Sequence, residues 1–372
     1  MREFQIAVFP GDGIGVEVMA ACLTLLDAVV ARTGGFRLAF TSYQAGAGLY
    51  RDTGVALPPH AMEAAALADA ILLGAMGLPS VRYPNGTEVS PQLDFRERLG
   101  LYAGVRPMRL LPGTPTPLAD PRARQIDCVL VRESTEGLFA ARALTRRDGD
   151  DAVYDTMRIS RATSVRLFDF AFALARQRAR GQRRGRVTCV DKANVLPALA
   201  FFREIFLERA ALQSDVDVDC AYVDATALRL VTAPWDFDVL VTENMFGDIL
   251  SDLGAALIGG MGMAPSADIG DRHAVFQPCH GTAPDIAGRG LANPTAMILS
   301  GAMMLEWLGD AATMDACTRA ASALRGAVAS AFADGSLLPT ELEGTAGTRQ
   351  ITERVLQHLD RDGVDDRRLS RW

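Results

Sequence analysis

Apolar runs of strand length alternate along the chain with stretches whose apolar residues recur every three or four positions, the pattern of an α/β protein. The runs predict strands at Gln5 to Phe9, Ala70 to Gly74, Asp127 to Val131, Arg186 to Val190, Val218 to Val223 and Asp238 to Thr242. The periodic stretches predict helices at Gly15 to Arg32, Thr163 to Arg180, Leu196 to Ala211, Phe246 to Ile258 and Pro294 to Leu308. Proline suits neither a helix interior nor a central strand, so the proline-rich run from Pro107 to Pro121 is read as a crossing between two lobes. Gly259 to Gly262 offers a second crossing, which joins residues 1–106 and 260–372 into one lobe and leaves 107–259 as the other. The charged tail after Gln357 is read as frayed.

A length of 372 residues fits two lobes. No apolar run approaches the ~18–20 residues that span a bilayer, and the opening MREFQIAVFPGDG lacks the apolar core of a signal peptide. The reading is a cytoplasmic protein without a membrane partner. Cys22, Cys128, Cys189, Cys220, Cys279 and Cys317 are scattered, with no CxxC pair, so neither a zinc site nor a disulfide framework is indicated. A net charge of −7 gives no reason to expect nucleic acid, and the basic stretch Arg176 to Arg186 is read as a solvated helix end and its turn.

The strand–glycine–helix opening, Ala7 to Glu17, invites a dinucleotide-fold reading that its spacing does not support. Glycines stand at Gly11, Gly13 and Gly15, with Val16 where the third glycine of GxGxxG belongs, so a plain tight turn explains the segment as well.

Four features carry chemistry. Lys192, in VDKANV, is the only lysine, in a chain that otherwise uses arginine for positive charge. A lysine can lose its proton when burial or a neighbouring cation lowers its pKa, and an arginine cannot, so Lys192 is a candidate base set against a leftover surface lysine. Asp248 and Asp252 are the only charges between Met245 and Ala267. At i, i+4 they share a helix face and repel unless a cation lies between them; oxygen ligands favour Mg²⁺ or Mn²⁺, with Asp224 as a possible third carboxylate. Capping of the helix start by Asp248 is the alternative. Arg96, Arg106 and Arg132, if convergent, suit a di- or tricarboxylic acid; taken singly, each reads as a surface arginine. HGTAPDIAG from His280, followed by LANPTA, is a small-residue loop whose backbone N–H groups can approach phosphates.

Taken together, VDKANVL, FDVLVTENMFGDILSDLGAALIGGMGMAPSA and HGTAPDIAGRGLANPTAMILSGAMMLEWLG resemble the β-decarboxylating dehydrogenases, the family of isopropylmalate, isocitrate, homoisocitrate and tartrate/malate dehydrogenases. The resemblance runs from IAVFPGDGIG to GTRQITERVL and is closest in overall pattern to the isopropylmalate branch. It implies a two-lobed α/β fold with a large mixed sheet, distinct from the Rossmann fold, in which 1–106 plus 260–372 bind cofactor and 107–259 carry substrate, metal and the dimer contact. It also implies that Arg96, Arg106 and Arg132, with Ser90 and Gln92 nearby, bind a malate-type substrate. Lys192 would help deprotonate the 2-hydroxyl, Asp224, Asp248 and Asp252 would hold Mg²⁺ or Mn²⁺, and Asp224 would count with Lys192 as catalytic. Ile14, Asn194, His280, Gly281, Thr282, Ala283, Asp285, Ile286 and Asn293 would face the cofactor. The assembly implied is a homodimer in which Lys192 and Asp224 reach the other subunit's site.

Where the NADP-using branch of this family has Lys-Tyr after HGTAP, this chain has Asp285 and Ile286; a carboxylate accepts a bond from a free ribose 2′-hydroxyl and repels a phosphate, so the cofactor implied is NAD. Isopropylmalate enzymes place leucine four residues before the first arginine, whereas this chain has Gln92 there, pointing to a small or polar C3 substituent. Phe139 stands where the family has a catalytic tyrosine that protonates the product. Two functions therefore remain: an active oxidative decarboxylase with another proton donor, Tyr102 being the first suspect, or a catalytically weak, metabolite-binding relative.

Overall fold

The computed structural model describes residues 1–140, 144–181 and 183–361. Its strands are β1 (Arg2–Gly11), β2 (Phe36–Ser42), β3 (Ala70–Ala75), β4 (Ala103–Arg109), β5 (Asp127–Glu133), β6 (Arg146–Asp148), β7 (Ala152–Tyr154), β8 (Arg186–Asp191), β9 (Asp217–Tyr222), β10 (Val239–Thr242), β11 (Pro265–Ile269) and β12 (Ala274–Pro278). The helices are α1 (Gly15–Thr33), α2 (Ala47–Thr53), α3 (Pro59–Leu67), α4 (Pro91–Leu99), α5 (Gly137–Ala140), α6 (Arg161–Arg180), α7 (Pro197–Ala210), α8 (Val223–Thr232), α9 (Asn244–Leu257), α10 (Thr295–Ala312), α11 (Asp315–Phe332) and α12 (Thr348–Arg361). Every strand and helix expected from the pattern is present, most of them with ends shifted by a few residues.

Ten strands form one large mixed sheet in the order β2-β1-β3-β12-β11-β4-β5-β10-β8-β9, as the fold reading expects. The groups β2-β1-β3-β12 and β5-β10-β8-β9 are each parallel inside and run in opposite senses, because three antiparallel steps through β11 and β4 join them. This antiparallel centre separates the fold from an all-parallel doubly wound sheet. The joint between β11 and β4 is short: only Ala103 to Val105 pair with Ala267 to Ile269.

Burial follows the apolar pattern. In α1, Val18, Cys22, Leu25, Leu26 and Val29 repeat at helical spacing, and all are buried. β3, AILLGA, is buried on both faces, as a strand with helices on either side must be. α10 is enclosed along most of its length and packs between the sheet and α11. Among the described residues no helix is long and apolar enough to cross a membrane.

Three expectations need correction. Pro107 does continue a strand: it lies in β4 opposite Val129, where β11 no longer pairs, so β4 has a single neighbour there, as an edge strand has. Of the tail expected to fray after Gln357, residues 358–361 continue α12, which buries Ile351, Val355 and Leu359 at i, i+4 spacing, and residues 362–372 lie outside the described residues. The basic stretch is not all solvated. Arg178 is fully buried, its Nε 2.6 Å from Asp238 and its Nη2 2.9 Å from Asp127, while Arg183 pairs with the other Asp127 oxygen. A buried guanidinium needs such acceptors, and they come from the first residue of β5 and the residue preceding β10.

Candidate active site

The three arginines converge, and two carboxylates on opposite sides of the β11–β4 joint hold them. Arg96 projects from α4 and Arg106 from β4, and both reach Asp268 on β11: Arg96 Nε donates to one Asp268 oxygen at 2.9 Å and Arg106 Nη2 to the other at 3.0 Å. Gln277 Nε2 adds a third bond at 2.9 Å, and Arg106 Nη1 donates to the Ala267 carbonyl at 2.9 Å. Burial alone would raise the Asp268 pKa, but the charges of Arg96 and Arg106 outweigh it and lower it to about 2. Arg132, at the end of β5, donates from Nε to Asn244 Oδ1 at 2.9 Å and pairs through Nη1 with Asp248. Burial first, and then the positive charge of Arg96, pull Arg132 down to about 10. Gly247 makes the crossing possible, because a side chain there would collide with Arg132 where it lies across α9.

Beside these arginines lies a cavity of about 400 Å³, whose wall includes Arg96, Ser134, Thr135, Phe139 and Asn244. The Phe139 ring stands 5.5 Å from the Arg132 guanidinium. Leu93 and Asp94 from α4 reach this wall; Gln92 is not on it, and its Oε1 is buried without a partner. Ser90 occupies the position before α4 without forming a side-chain cap. Tyr102 is also off the wall: it is buried under Arg166, 4.6 Å from its ring, and burial with the nearby Asp271 charge raises its pKa to about 12.

Asp248 and Asp252 stand one turn apart on α9, which Glu243 caps by accepting from Phe246 N at 2.6 Å. Capping by Asp248 is thereby excluded. Burial, and then the charge of Asp248, raise the Asp252 pKa against the opposing charges of Arg132 and Arg106. The oxygen-only pair fits a hard divalent ion. It is incomplete within one chain: Asp224, in the first turn of α8, is paired with Lys192 Nζ at 2.7 Å, and among the described residues no group of three Asp, Glu, His or Cys is placed to hold a metal. The loop carrying Lys192 is fixed by Asp191, which is fully buried, accepts from Ala193 N at 2.8 Å and takes a two-point contact from Arg203. Asn194 follows on the exposed side of this loop.

The glycine turn after β1 and the loop after β12 are tied together. Ile14 N donates to the Thr282 carbonyl at 2.8 Å, and Thr282 Oγ1 donates to the Gly77 carbonyl at 2.7 Å. Asp12 gathers the same region by accepting from the N–H groups of Ala47, Gly48 and Gly77 at 2.7 to 2.9 Å. In the loop, Gly281 is open to solvent, Ala283 is held at φ +34°, Asp285 is exposed and Ile286 half-buried. His280 keeps a buried Nε2 with no protein partner, and its Nδ1 lies 2.9 Å from the Gly281 carbonyl. An exposed backbone turn with an orphaned imidazole nitrogen fits a polar ligand laid along it. Asn293 is used internally: its Oδ1 accepts from Thr295 at the start of α10, and its Nδ2 donates to Glu341 at 2.7 Å.

Sequence reasoning missed Asp268, Asn244 and Asp191, the residues that orient the named side chains. A lone charge in the run GGMGMAPSADIG was the available signal for Asp268, one residue beyond the stretch in which Asp248 and Asp252 stand out.

Known proteins share this architecture. The family model described as isocitrate/isopropylmalate dehydrogenase matches residues 5–355. The 3-isopropylmalate dehydrogenase of Moorella thermoacetica is 41% identical over 95% of this chain and 99% of its own. The 3-isopropylmalate/3-methylmalate dehydrogenase of Methanocaldococcus jannaschii is 38% identical over 95% and 98%. The crystal structure of isocitrate dehydrogenase from Methylococcus capsulatus superposes with a TM-score of 0.83 at 36% identity, over 96% of this chain and 99% of that one. With the family model matching residues 5–355 and the relatives covering 95% of the chain or more, the protein belongs to the isocitrate/isopropylmalate dehydrogenase family and is an oxidative decarboxylase.

Proposed function

We propose that the protein oxidises and decarboxylates a 3-substituted D-malate, with NAD and Mg²⁺ or Mn²⁺, and that the C3 substituent is small or polar. The observation that carries this reading is a cluster of three buried arginines, of which Arg96 lines the cavity and Arg132 pairs with Asp248 of the α9 carboxylate pair, a constellation suited to a dicarboxylate held against a divalent ion. Gln92, standing where isopropylmalate enzymes have a leucine, supports a polar substituent. The relative named for 3-methylmalate as well as 3-isopropylmalate supports a small one.

In this reading Arg96, Arg106 and Arg132 bind and orient the carboxylates, and Lys192 takes the 2-hydroxyl proton. When bound, NAD accepts the hydride and the metal stabilises negative charge on the substrate oxygen. Ile14, the loop from His280 to Ile286, Asn194 and Asn293 would hold NAD, and Asp285 would exclude a 2′-phosphate. Lys192 and Asp224 would act across a homodimer: Leu228 and Val231 on α8 and Ile249 on α9 are large apolar side chains left exposed beside them, at 64%, 48% and 60%. Residues 1–106 with 260–372, and 107–259, would be the two lobes, their boundary falling inside β4. Phe139 alone favours the second reading, a metabolite-binding relative of low activity.

The test is a panel of D-malate, tartrate, 3-methylmalate, 3-isopropylmalate, isocitrate and homoisocitrate with Mn²⁺ and either NAD or NADP, followed by NADH or NADPH absorbance. The expected result is turnover with a small or polar malate and a kcat/KM at least ~10-fold lower with NADP, equivalent to about 1.4 kcal/mol. Preference for 3-isopropylmalate would overturn the substituent reading, and no reduced cofactor from any malate would favour the binding relative. Asp252→Asn is expected to weaken Mn²⁺ binding in a direct titration; unchanged affinity would remove the α9 pair from the metal site.

A further inference from the structure

Loss of CO₂ from a β-keto acid leaves an enolate whose C3 must take a proton, and Phe139 has no hydroxyl to give one. Among the described residues, the hydroxyl-bearing side chains on the cavity wall are Ser134 and Thr135. Ser134 Oγ makes a long bond of 3.3 Å to the Arg132 carbonyl. Thr135 is differently placed. It lies four residues before Phe139, on the same wall, and its Oγ1 is 2.6 Å from Glu133 Oε1.

Glu133 is the unusual partner. Its carboxyl is 2% exposed, and among the described residues no arginine, lysine or histidine forms an ion pair with it. Thr135 N and Glu136 N each donate to it at 2.7 Å. Burial raises its pKa against the pull of those hydrogen bonds. The neighbouring Glu136 is engaged elsewhere, by Ser160 and Thr163.

We propose that Thr135 is the proton donor to the substrate carbon after CO₂ loss, its hydroxyl resupplied by the buried Glu133 carboxyl. The proposal rests on the decarboxylase reading above. The enolate C3 forms a C–H bond to the Thr135 hydroxyl proton, the Thr135 O–H bond breaks, and Oγ1 takes the Glu133 proton across the 2.6 Å contact. The negative charge thus passes from the enolate to the Glu133 carboxylate, where the two backbone N–H groups receive it. Water reprotonates Glu133 through Thr135 once product has left. Thr135 is the catalytic residue in this scheme and Glu133 acts through it.

The experiment uses the full chain with NAD, Mn²⁺ and each C3-substituted malate of the panel in D₂O, reading NADH formation, CO₂ release and the stereochemistry of deuterium at C3 of the product. Thr135→Val, nearly the same shape without the hydroxyl, is expected to keep the first-turnover NADH formation. It should slow saturated keto-acid formation by about 10²-fold or more and scramble the deuterium. Thr135→Ser should restore rate and stereospecificity, and so should adding Phe139→Tyr to Thr135→Val, which also shows that the valine variant is folded. Stereospecific deuteration at the wild-type rate in Thr135→Val, or no rescue by serine, overturns the proposal while leaving the decarboxylase reading intact. Absence of NADH and CO₂ from every malate overturns that reading and the proposal with it.

Discussion

Lys192→Arg will lower turnover by about 10²–10⁴-fold, the range typical of losing a general base. The substitution isolates proton transfer from charge. Lys192 is one-quarter exposed and 2.7 Å from Asp224, itself open to solvent, so an arginine can keep the ion pair and the local field. What it cannot do is give up a proton near neutral pH. NADH production under saturating substrate is the measurement, and Mn²⁺ affinity serves as the control that Asp224 is still in place. Near-normal turnover would show that Lys192 only partners Asp224, and the base would have to be sought elsewhere.

The second large effect is on stability. Asp268→Ala leaves Arg96 and Arg106 buried without their common acceptor, and breaking a buried pair in this way costs about 3–5 kcal/mol. Denaturant unfolding of the wild type and variant is the check; a difference below about 1 kcal/mol would mean that the arginines turn to solvent at little cost. The pH dependence has a definite sign. Asp268 is held at about 2 in the folded protein against an ordinary value near 3.9, so its contribution is present above about pH 4 and is lost as pH falls towards 2. The gap between wild type and variant should therefore narrow over that acid range.

The parts of the fold legible in the sequence are those whose pattern is uniform: β3 is apolar throughout, and α1 repeats its apolar residues without a break. β4 was not legible, because AGVRPMR carries a buried arginine and a proline that disguise a strand with close neighbours. β11 and β12 are five residues each, with prolines and polar groups inside them. Arg178 shows the limit of local composition: its acceptors lie 51 and 60 residues away, and a window around QRARGQRRGR contains nothing to indicate burial. The candidate site divides in the same way. Residues whose charge stands out in their segment were readable, whereas Asp268, Asn244 and Glu133 act through contacts that only folding creates.

The three-residue joint between β11 and β4 has a consequence for how ligand binding and folding are linked. Arg96 and Arg106 are anchored on β11 through Asp268, and Arg132 on α9 through Asn244 and Asp248. On the proposed function, a dianion held by all three arginines would be a staple across the joint, made only in the folded chain. By mass action such a ligand, at a hundred times its dissociation constant, adds about 2.7 kcal/mol to the free energy of unfolding. The metabolite pool would then set the lifetime of the folded protein as well as its rate of turnover.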